Sequence, residues 1–234
     1  MKLSLVIPCY NEAKNLPLLL SRCGAVAEHG AEVVLVDNGS GDETPSLLRE
    51  YLPLYQGCRS IRVDVNQGFG FGVLAGLAVS QGDVLAWTHA DMQTDPMDAI
   101  KGLEFFKHAS EPERVFVKGR RYGRLPSDVI FTIGMSVFET LLLGRLLWDI
   151  NAQPVMFHRR FFESWNDPPK DFALELFAYY CARAANLKIK RFPVLFAERH
   201  AGVSSWNVNL PAKMKFIRRT IESSLQLRRR IGRN

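Results

Sequence analysis

The sequence predicts a single α/β domain with a Rossmann-like, mostly parallel central sheet that is flanked by helices and followed by a basic C-terminal helix. Short apolar runs alternate with helical segments through the first half of the 234-residue chain, a pattern typical of parallel sheets covered by helices on both faces. Three of these runs end directly in polar clusters. Because parallel strands present their carboxyl ends at one edge, we expect a ligand crevice there.

The first half contains four predicted strands and three predicted helices. The strands are apolar runs at residues 3–8, 32–36, 61–65 and 84–87. Asn11 is placed to cap a first helix that extends to about Ala27. Thr44 and Pro45 begin a second helix, since proline is favoured in the first turn. A glycine-rich segment at residues 66–68 opens the third.

The second half alternates less regularly. Its predicted elements are a strand at residues 114–117, a long apolar helix at about 127–143, a helix at 171–185, a strand at 187–196 and a helix at 210–230. The apolar stripe of this last helix consists of Met214, Ile217, Ile221 and Leu225, surrounded by Arg and Lys, as in helices that lie at a membrane surface. We therefore divide the chain into a domain of residues 1–209 and a basic amphipathic helix or tail of residues 210–234.

The net charge of +6 is concentrated at the C-terminus. Residues 211–234 contain eight Lys or Arg and one acid, Glu222, so the rest of the chain is close to neutral. A basic tail on a neutral body predicts a polyanionic partner, either a membrane surface or a nucleic acid. Nucleic acid is disfavoured because Phe216 is the tail's one aromatic residue and no nucleic-acid-binding motif is present.

Other features favour a cytoplasmic protein. Met1 and Lys2 run straight into a strand, so no signal peptide is expected. The four cysteines are scattered without a C-x-x-C pair, which disfavours a zinc site or a disulfide framework. The best apolar run, residues 129–148, is interrupted by Glu139 and Arg145, so no transmembrane helix is expected. With the basic tail, this predicts a protein held peripherally on the cytoplasmic face of a membrane, by its surface or by a membrane-embedded partner.

Asp91 and Gln93 follow the fourth strand within His89-Ala90-Asp91-Met92-Gln93. Two oxygen-bearing side chains so close together at a strand end suit a hard divalent cation. Such a cation can hold a diphosphate and neutralise it as it leaves. The alternative is that the segment only caps the helix that follows Thr94 and Asp95.

Two carboxylates elsewhere each admit two interpretations. Asp37, directly after the second strand, either begins a tight turn through Asn38 and Gly39 or accepts hydrogen bonds from a nucleobase or ribose. Asp149 is either a buried polar anchor or part of an acceptor pocket, and we favour the pocket.

Two arginine-containing segments are candidate anion sites. Arg120, Arg121 and Arg124 lie close together after a strand and are either solvated or bind a phosphate. Arg199 is followed by Gly202-Val203-Ser204-Ser205, and the two together form the second candidate.

Six segments form a set of motifs that extends from about residue 3 to residue 206. They are Val6-Ile7-Pro8-Cys9-Tyr10-Asn11-Glu12, Val36-Asp37-Asn38-Gly39-Ser40-Gly41-Asp42-Glu43-Thr44, Asn66-Gln67-Gly68, Ala90-Asp91-Met92-Gln93, Lys118-Gly119-Arg120-Arg121 and Arg199-His200-Ala201-Gly202-Val203-Ser204-Ser205. Together they resemble the inverting family 2 glycosyltransferases of the GT-A fold. The likeness is to the branch that contains dolichol-phosphate mannosyltransferase and the bacterial polyprenyl-phosphate glycosyltransferases.

The resemblance implies an inverting enzyme that moves a hexose from a nucleotide-diphosphate sugar to a polyprenyl phosphate, dolichyl or undecaprenyl. The residues implied to bind the nucleotide sugar are Pro8, Tyr10, Glu12, Asp37, Gly39, Gly68 and Ala90. Asp91 and Gln93 would hold Mg²⁺ or Mn²⁺. The residues implied at the acceptor phosphate are Arg120, Arg124, Arg199 and Ser204. Those implied in catalysis are Asp91, Asp149, Arg120 and Arg199. An acceptor phosphate is already anionic and needs no strong base, so positioning and charge neutralisation would supply most of the catalysis.

The chain departs from the family pattern in three places. His89 stands where the metal motif usually begins with Asp, which removes one anionic ligand. Ser205 stands where Lys is usual, which removes a possible phosphate partner. The membrane helices that follow the domain in several relatives are not expected here, and the basic C-terminal helix would supply membrane contact instead.

Two other functions stay open. The acceptor could be a saccharide hydroxyl in cell-surface polysaccharide or glycan synthesis, in which case Asp149 or Asp95 becomes the candidate base. Alternatively, His89 could mark a module that binds nucleotide sugars without turnover.

Overall fold

The computed structural model of the chain describes residues 1–199 and 210–231. Within these residues, seven strands form one sheet in the order β3-β2-β1-β4-β6-β5-β7. The strands are β1 (Leu3–Cys9), β2 (Glu32–Asn38), β3 (Cys58–Val63), β4 (Val84–Trp87), β5 (Val115–Tyr122), β6 (Val155–His158) and β7 (Lys188–Leu195). The helices are α1 (Leu16–Glu28), α2 (Thr44–Tyr51), α3 (Phe69–Val79), α4 (Asp98–Lys107), α5 (Pro126–Leu143), α6 (Arg159–Glu163), α7 (Leu174–Ala184) and α8 (Leu210–Ile231).

The predicted mostly parallel sheet is confirmed. In the described sheet, β6 alone runs antiparallel to its neighbours β4 and β5. Every residue of β1, β2 and β4 is buried, as their continuous apolar sequences require. One apolar core packs α1 and α4 against the sheet, and a second packs α3 and α7. The helix α3 approaches closely because it is rich in glycine. A Cβ on Gly76 would lie 2.3 Å from a methyl carbon of Val6.

Several predicted elements differ in the structure. The first helix begins at Leu16, and Asn11 does not cap it. Instead, Asn11 has a φ of 57° and its side-chain oxygen accepts a hydrogen bond from the Gly41 N–H at 2.9 Å. The elements missed by the sequence analysis are β6 and α6, whereas α4 is the helix expected after Thr94 and Asp95. The strand β6 has four residues and α6 has five, too few to show a periodic pattern.

The helix α5 corrects the expectation that no segment could span a membrane. Among the described residues it is the one helix long and apolar enough to do so, by length and composition alone. Its two buried residues are polar, Ser136 and Glu139, whereas Ile130 and Leu141 are 69% and 78% exposed. The polar residues therefore face the domain and the apolar residues face outward, the reverse of an ordinary surface helix.

The basic C-terminal helix α8 packs against α5. Ser224 Oγ makes a hydrogen bond with Glu139 Oε1, and both residues are buried. Met214 and Leu225 are exposed, so they do not belong to the inward face, which contains Ser224 and Leu227 instead. A stripe that contacts a membrane has to be exposed on the protein, so the predicted interfacial stripe stays a prediction. The division of the chain at residues 209 and 210 stays a prediction.

A buried ion pair lies between the sheet and α7. Lys118 Nζ is 3.7 Å from Glu175 Oε2, and both side chains are fully buried. Burial lowers the pKa of Lys118 to about 8, against the raising effect of Glu175. Glu175 also accepts hydrogen bonds from Trp87 on β4 and from Gln153 before β6. The pair and its partners fix the carboxyl end of β4 relative to the loop that leads into β6.

Candidate active site

A cavity of about 1160 Å³ lies where the carboxyl ends of β1, β2 and β4 meet. The residues along its wall include Pro8, Tyr10, Glu12, Asn38, Asn66, Phe69, His89, Ala90, Asp91 and Arg199. The three polar clusters that follow the strands in sequence therefore meet at one site, as predicted.

Hydrogen bonds tie the loop after β1 to the loop after β2. The Asn11 N–H donates to Ser40 Oγ at 3.0 Å, and the Glu12 N–H donates to Thr44 Oγ1 at 2.9 Å. Gly39 has a φ of 74°, and a Cβ there would lie 2.6 Å from the Asn66 backbone nitrogen. Glycine is thus required where this loop passes the segment after β3. These contacts fix the positions of Tyr10 and Glu12 at the cavity.

Asp37 lies under the cavity wall. It is 2% exposed, and its Oδ1 accepts a hydrogen bond from the Ser40 N–H at 3.0 Å. Its Oδ2 forms an ion pair with Arg62, a residue that the sequence analysis did not select. The structure thus shows the turn that was one of the two interpretations of Asp37. The neighbouring Asn38 lines the cavity, and its amide donates to the Gly68 carbonyl at 3.0 Å.

Asp91 and Gln93 point their oxygens at the same cationic group. Arg199 Nη2 lies 3.1 Å from Asp91 Oδ2, and Arg199 Nε donates to Gln93 Oε1 at 3.1 Å. A single guanidinium group therefore bridges the two side chains predicted to bind a metal ion. Burial raises the pKa of Glu12 against the hydrogen bond from Asn15, and the nearby charge of Asp91 raises it further. This corner of the cavity concentrates negative charge.

The donor set fits a hard divalent cation. Asp91 offers a carboxylate oxygen and Gln93 an amide oxygen, and both already converge on one positive charge. Mg²⁺ is commonly held by one or two carboxylates together with substrate phosphates. Among the described residues, no group of three or more His, Cys, Asp or Glu side chains is arranged to hold a metal ion.

His89 packs in an aromatic cluster at the edge of the cavity. Its ring centroid lies 4.9 Å from that of Phe69 and 6.1 Å from that of Phe172, with which it is stacked. Neither phenylalanine was selected from the sequence. The imidazole thus packs against apolar rings at the position where the family motif has a carboxylate.

A second cavity of about 250 Å³ adjoins the first, and Phe69 lines both. Its wall is formed by Gly68, Arg121, Phe172 and residues of α5, α7 and α8, including Thr132, Ser136, Glu139, Leu176, Arg219 and Ser224. Gly68, predicted to contact the nucleotide sugar, is placed here rather than on the first cavity.

Arg120 and Arg121 belong to β5, so their side chains alternate, and Arg124 follows the strand. Arg120 is exposed and lines neither cavity, whereas the Arg121 side chain is largely buried and lines the second cavity. Arg121 Nε donates to Asp149 Oδ1 at 2.9 Å, and Arg124 Nη1 lies 3.8 Å from the same oxygen. Arg121, rather than Arg120, therefore points toward the site.

Asp149 is a buried anchor, and the interpretation of it as a pocket residue is corrected. It is 3% exposed and lines neither cavity. Burial alone would raise its pKa, but the charge and hydrogen bonds of Arg121 outweigh burial and lower it. Asp95, the other candidate base, is paired with Arg22 and accepts the Met97 N–H at 2.9 Å. Ser204, predicted at the acceptor phosphate, lies outside the described residues.

Comparison with solved structures identifies the fold. Glucosyl-3-phosphoglycerate synthase from Mycobacterium tuberculosis, solved with Mn²⁺, UDP and glucosyl-3-phosphoglycerate, superposes with a TM-score of 0.72 over 97% of this chain and 79% of that one, at 16% identity. TarS from S. aureus gives a TM-score of 0.56 over 85% and 59%, at 18% identity. The chain thus has the GT-A fold of glycosyltransferases.

Sequence comparison identifies the family. Residues 4–164 match the profile of glycosyl transferase family 2, and the chain belongs to this family. It is 35% identical over 106 residues to the undecaprenyl-phosphate 4-deoxy-4-formamido-L-arabinose transferase of Aeromonas hydrophila, and 38% identical over 106 residues to that of Pseudomonas paraeruginosa. Each match covers 43% of this chain, and 32% and 31% of the relatives. The chain thus matches about a third of the length of these relatives.

Glu139 makes the stability of the protein depend on pH. Burial raises the pKa of Glu139 from 4.5 to about 7, although the hydrogen bond with Ser224 opposes the rise. Between pH 4.5 and about 7, Glu139 therefore stays protonated in the folded protein but loses its proton in the unfolded chain. The stabilisation is fully present below pH 4.5 and is lost as the pH rises through about 7. Glu139→Gln cannot ionise, so it should remove a pH dependence on the order of 3 kcal/mol in the free energy of unfolding.

Urea unfolding at pH 5 and pH 8 measures this effect. The wild-type protein should lose stability between the two values relative to Glu139→Gln. Glu222→Gln, at an exposed position on α8, is the matched control and should follow the wild type. Parallel pH profiles for all three proteins would contradict the assignment.

Proposed function

We propose that the chain is an inverting, metal-dependent glycosyltransferase that moves a sugar from a nucleoside-diphosphate sugar to a polyprenyl phosphate. The observation that carries this proposal is the convergence of Asp91 and Gln93 on the guanidinium group of Arg199, since Asp91 and Arg199 line the cavity of about 1160 Å³. Membership of glycosyl transferase family 2 supports the reaction type. The names of the two undecaprenyl-phosphate transferases support the acceptor class.

The first cavity would hold the donor. Pro8, Tyr10 and Glu12 would contact the nucleoside, and Asp37 would act from below the wall by fixing the turn that carries Asn38 and Gly39. Asp91 and Gln93 would hold Mg²⁺ or Mn²⁺, whose charge stabilises the leaving diphosphate. Arg199, which contacts both side chains, would then be available to the acceptor phosphate.

Arg121 would face the acceptor. Asp149 accepts one hydrogen bond from the Arg121 backbone N–H and one from the Arg121 guanidinium group, so Asp149 is a positioning residue in this proposal. The acceptor phosphate oxygen attacks the anomeric carbon as the bond from that carbon to the diphosphate breaks, which inverts the configuration in one displacement. Arg120 and Arg124 would add positive charge around the same segment.

The state of Asp149 and Asp95, the two bases predicted for a hydroxyl acceptor, favours a phosphate acceptor over a saccharide hydroxyl. A hydroxyl acceptor needs a base, but Asp149 has a lowered pKa and is held by Arg121. Asp95 is held by Arg22 and by the start of α4. A phosphate monoester is ionised at neutral pH and attacks without proton transfer.

The outward face of α5 supports a lipid-linked acceptor. Leu125, Ile130, Leu141 and Leu146 are each more than 60% exposed, and the neighbouring α8 ends in Arg228, Arg229 and Arg230, which are also exposed. Apolar side chains beside basic ones suit the surface of an anionic membrane. We propose that the protein sits peripherally on the cytoplasmic face of such a membrane.

Asp91→Asn should reduce kcat/KM for transfer by about 100-fold or more, because the carboxylate charge that holds the metal is lost. The assay measures product from UDP-sugars and GDP-sugars with a short prenyl phosphate, in the presence of Mn²⁺. Asp83→Asn, exposed at the opposite end of β4, is the control and should keep full activity. Parallel reactions with methyl glycosides test the saccharide alternative.

Full transfer by Asp91→Asn would contradict the metal assignment. Transfer to methyl glycosides but not to prenyl phosphate would contradict the acceptor assignment. Donor binding without transfer to either acceptor would leave the binding-module alternative as the better description.

Replacing Ile130 and Leu141 together by Gln should weaken binding to anionic vesicles by about tenfold or more, because less apolar surface is buried in the lipid. Co-sedimentation with vesicles that contain anionic lipid measures the change. Leu54→Gln is the matched control, because Leu54 is 75% exposed and lies between α2 and β3. Equal binding by the double variant and the control would rule out the α5 face as the membrane contact.

A further inference from the structure

The second cavity is lined mostly by apolar atoms, but its wall also contains polar side chains that the reaction proposed above, which uses Arg121, does not use. The helix α5 turns Thr132, Ser136 and Glu139 toward this cavity, while its large aliphatic residues face outward. Burying polar groups is costly unless they find partners. A polar ligand in the cavity would repay that cost.

Glu139 lacks a partner for one of its oxygens. Its Oε1 contacts Ser224 Oγ, and its Oε2 is buried without a hydrogen-bond partner among the described residues. Ser224 Oγ is also 2.7 Å from the Thr220 carbonyl, and its one proton cannot serve both acceptors. When Ser224 donates to Thr220, Glu139 must be protonated to donate to Ser224. The other carboxyl oxygen then remains an acceptor for a hydroxyl or amide donor.

The rest of the wall has the composition of a sugar site. Phe69 and Phe172 offer aromatic surface for the apolar face of a ring, while Asn151 and Ser223 offer amide and hydroxyl groups. Arg121 and Arg219 balance the acidic residues Asp171 and Glu139 on the same wall. The volume of about 250 Å³ is below the roughly 300–1,000 Å³ of sites for drug-sized ligands. It suits one monosaccharide better than a whole nucleotide.

The two cavities share a wall residue, so one ligand could extend from the first cavity into the second. Phe69 lines both, and the Asn38 side chain on the first cavity donates to the carbonyl of Gly68 on the second. A nucleoside diphosphate held at Asp91 would therefore carry its sugar past Phe69 and His89 toward Glu139.

We propose that the second cavity binds the sugar ring of the donor, and that Glu139 and Ser224 select it by hydrogen bonds to its hydroxyl groups. The inference rests on the proposed function and extends it. The C-terminal helix α8 becomes part of the donor site, and Glu139 becomes a residue that determines which sugar is accepted.

Calorimetric titration of the full chain with Mn²⁺ tests the proposal. The probes are UDP, UDP-glucose, UDP-N-acetylglucosamine, GDP and GDP-mannose, and the quantity compared is the affinity of each nucleotide sugar relative to its nucleotide. In Glu139→Leu this ratio should fall about tenfold for the preferred sugar, while the nucleotide itself should bind within about twofold of wild type. Glu139→Gln keeps an acceptor oxygen, so it should lower this affinity ratio by less than Glu139→Leu does. Glu222→Leu, on the outer face of α8, should leave the ratio unchanged.

A measurement on the wild-type protein covers the case in which Glu139→Leu does not fold. In hydrogen exchange, the preferred nucleotide sugar should protect the amides of residues 132–139 and 219–224 more than the nucleotide alone does. Two results would overturn the sugar site while leaving the proposed function intact. In the first, the nucleotide binds but Glu139→Leu has the same affinity ratio as the wild type. In the second, the nucleotide sugar protects these amides no more than the nucleotide alone does. If a methyl glycoside with UDP gives the protection that UDP-glucose does not, the cavity holds an acceptor instead and the donor assignment falls. If no probe binds at all, both proposals fail.

Discussion

The parallel pairing of β1 with β2 and β4 is the constraint on which the site depends. Backbone hydrogen bonds set Cys9 opposite Asp37 and Val6 opposite Trp87, so the chain leaves all three strands at one edge of the sheet. The loops that follow carry Tyr10, Asn38 and Asp91 to a common cavity. The buried pair of Lys118 and Glu175 holds the second half of the sheet to the same edge, since Glu175 also binds Trp87 at the end of β4. Side chains from distant parts of the sequence thus meet at the candidate site because of backbone geometry.

The fold was predictable where a local pattern determines the structure. Apolar runs gave β1, β2 and β4, the proline in its first turn gave α2, and a long apolar segment gave α5. Asn11 was misread because its side chain finds a partner in Gly41, a contact between two loops that no local pattern records. The outward orientation of the apolar face of α5 could not be predicted either, since periodicity does not say which side of a helix packs against the domain.

The sequence predicted which strand-end residues form the candidate site, but it did not predict which other side chains contact them. The motifs placed Asp91, Gln93, Tyr10 and Glu12 at strand ends, and three of these four line the cavity. The choice between Arg120 and Arg121 required the alternation of β5, because the two residues face opposite sides of one strand. The roles of Arg62 and Glu139 required the fold itself. Arg62 reaches Asp37 from the neighbouring strand, and Glu139 meets Ser224 across 85 positions of sequence.

The central claim is that Asp91 and Gln93 hold a divalent ion against the diphosphate of the donor. Electron paramagnetic resonance of Mn²⁺ with the full chain and UDP tests it most directly, because phosphorus nuclei bonded through oxygen to the ion couple to its electron spin. We expect a protein-bound signal with phosphorus coupling in the wild type, and its loss when Asp91 is replaced by Ala. The same bound, phosphorus-coupled signal in Asp91→Ala would contradict the account.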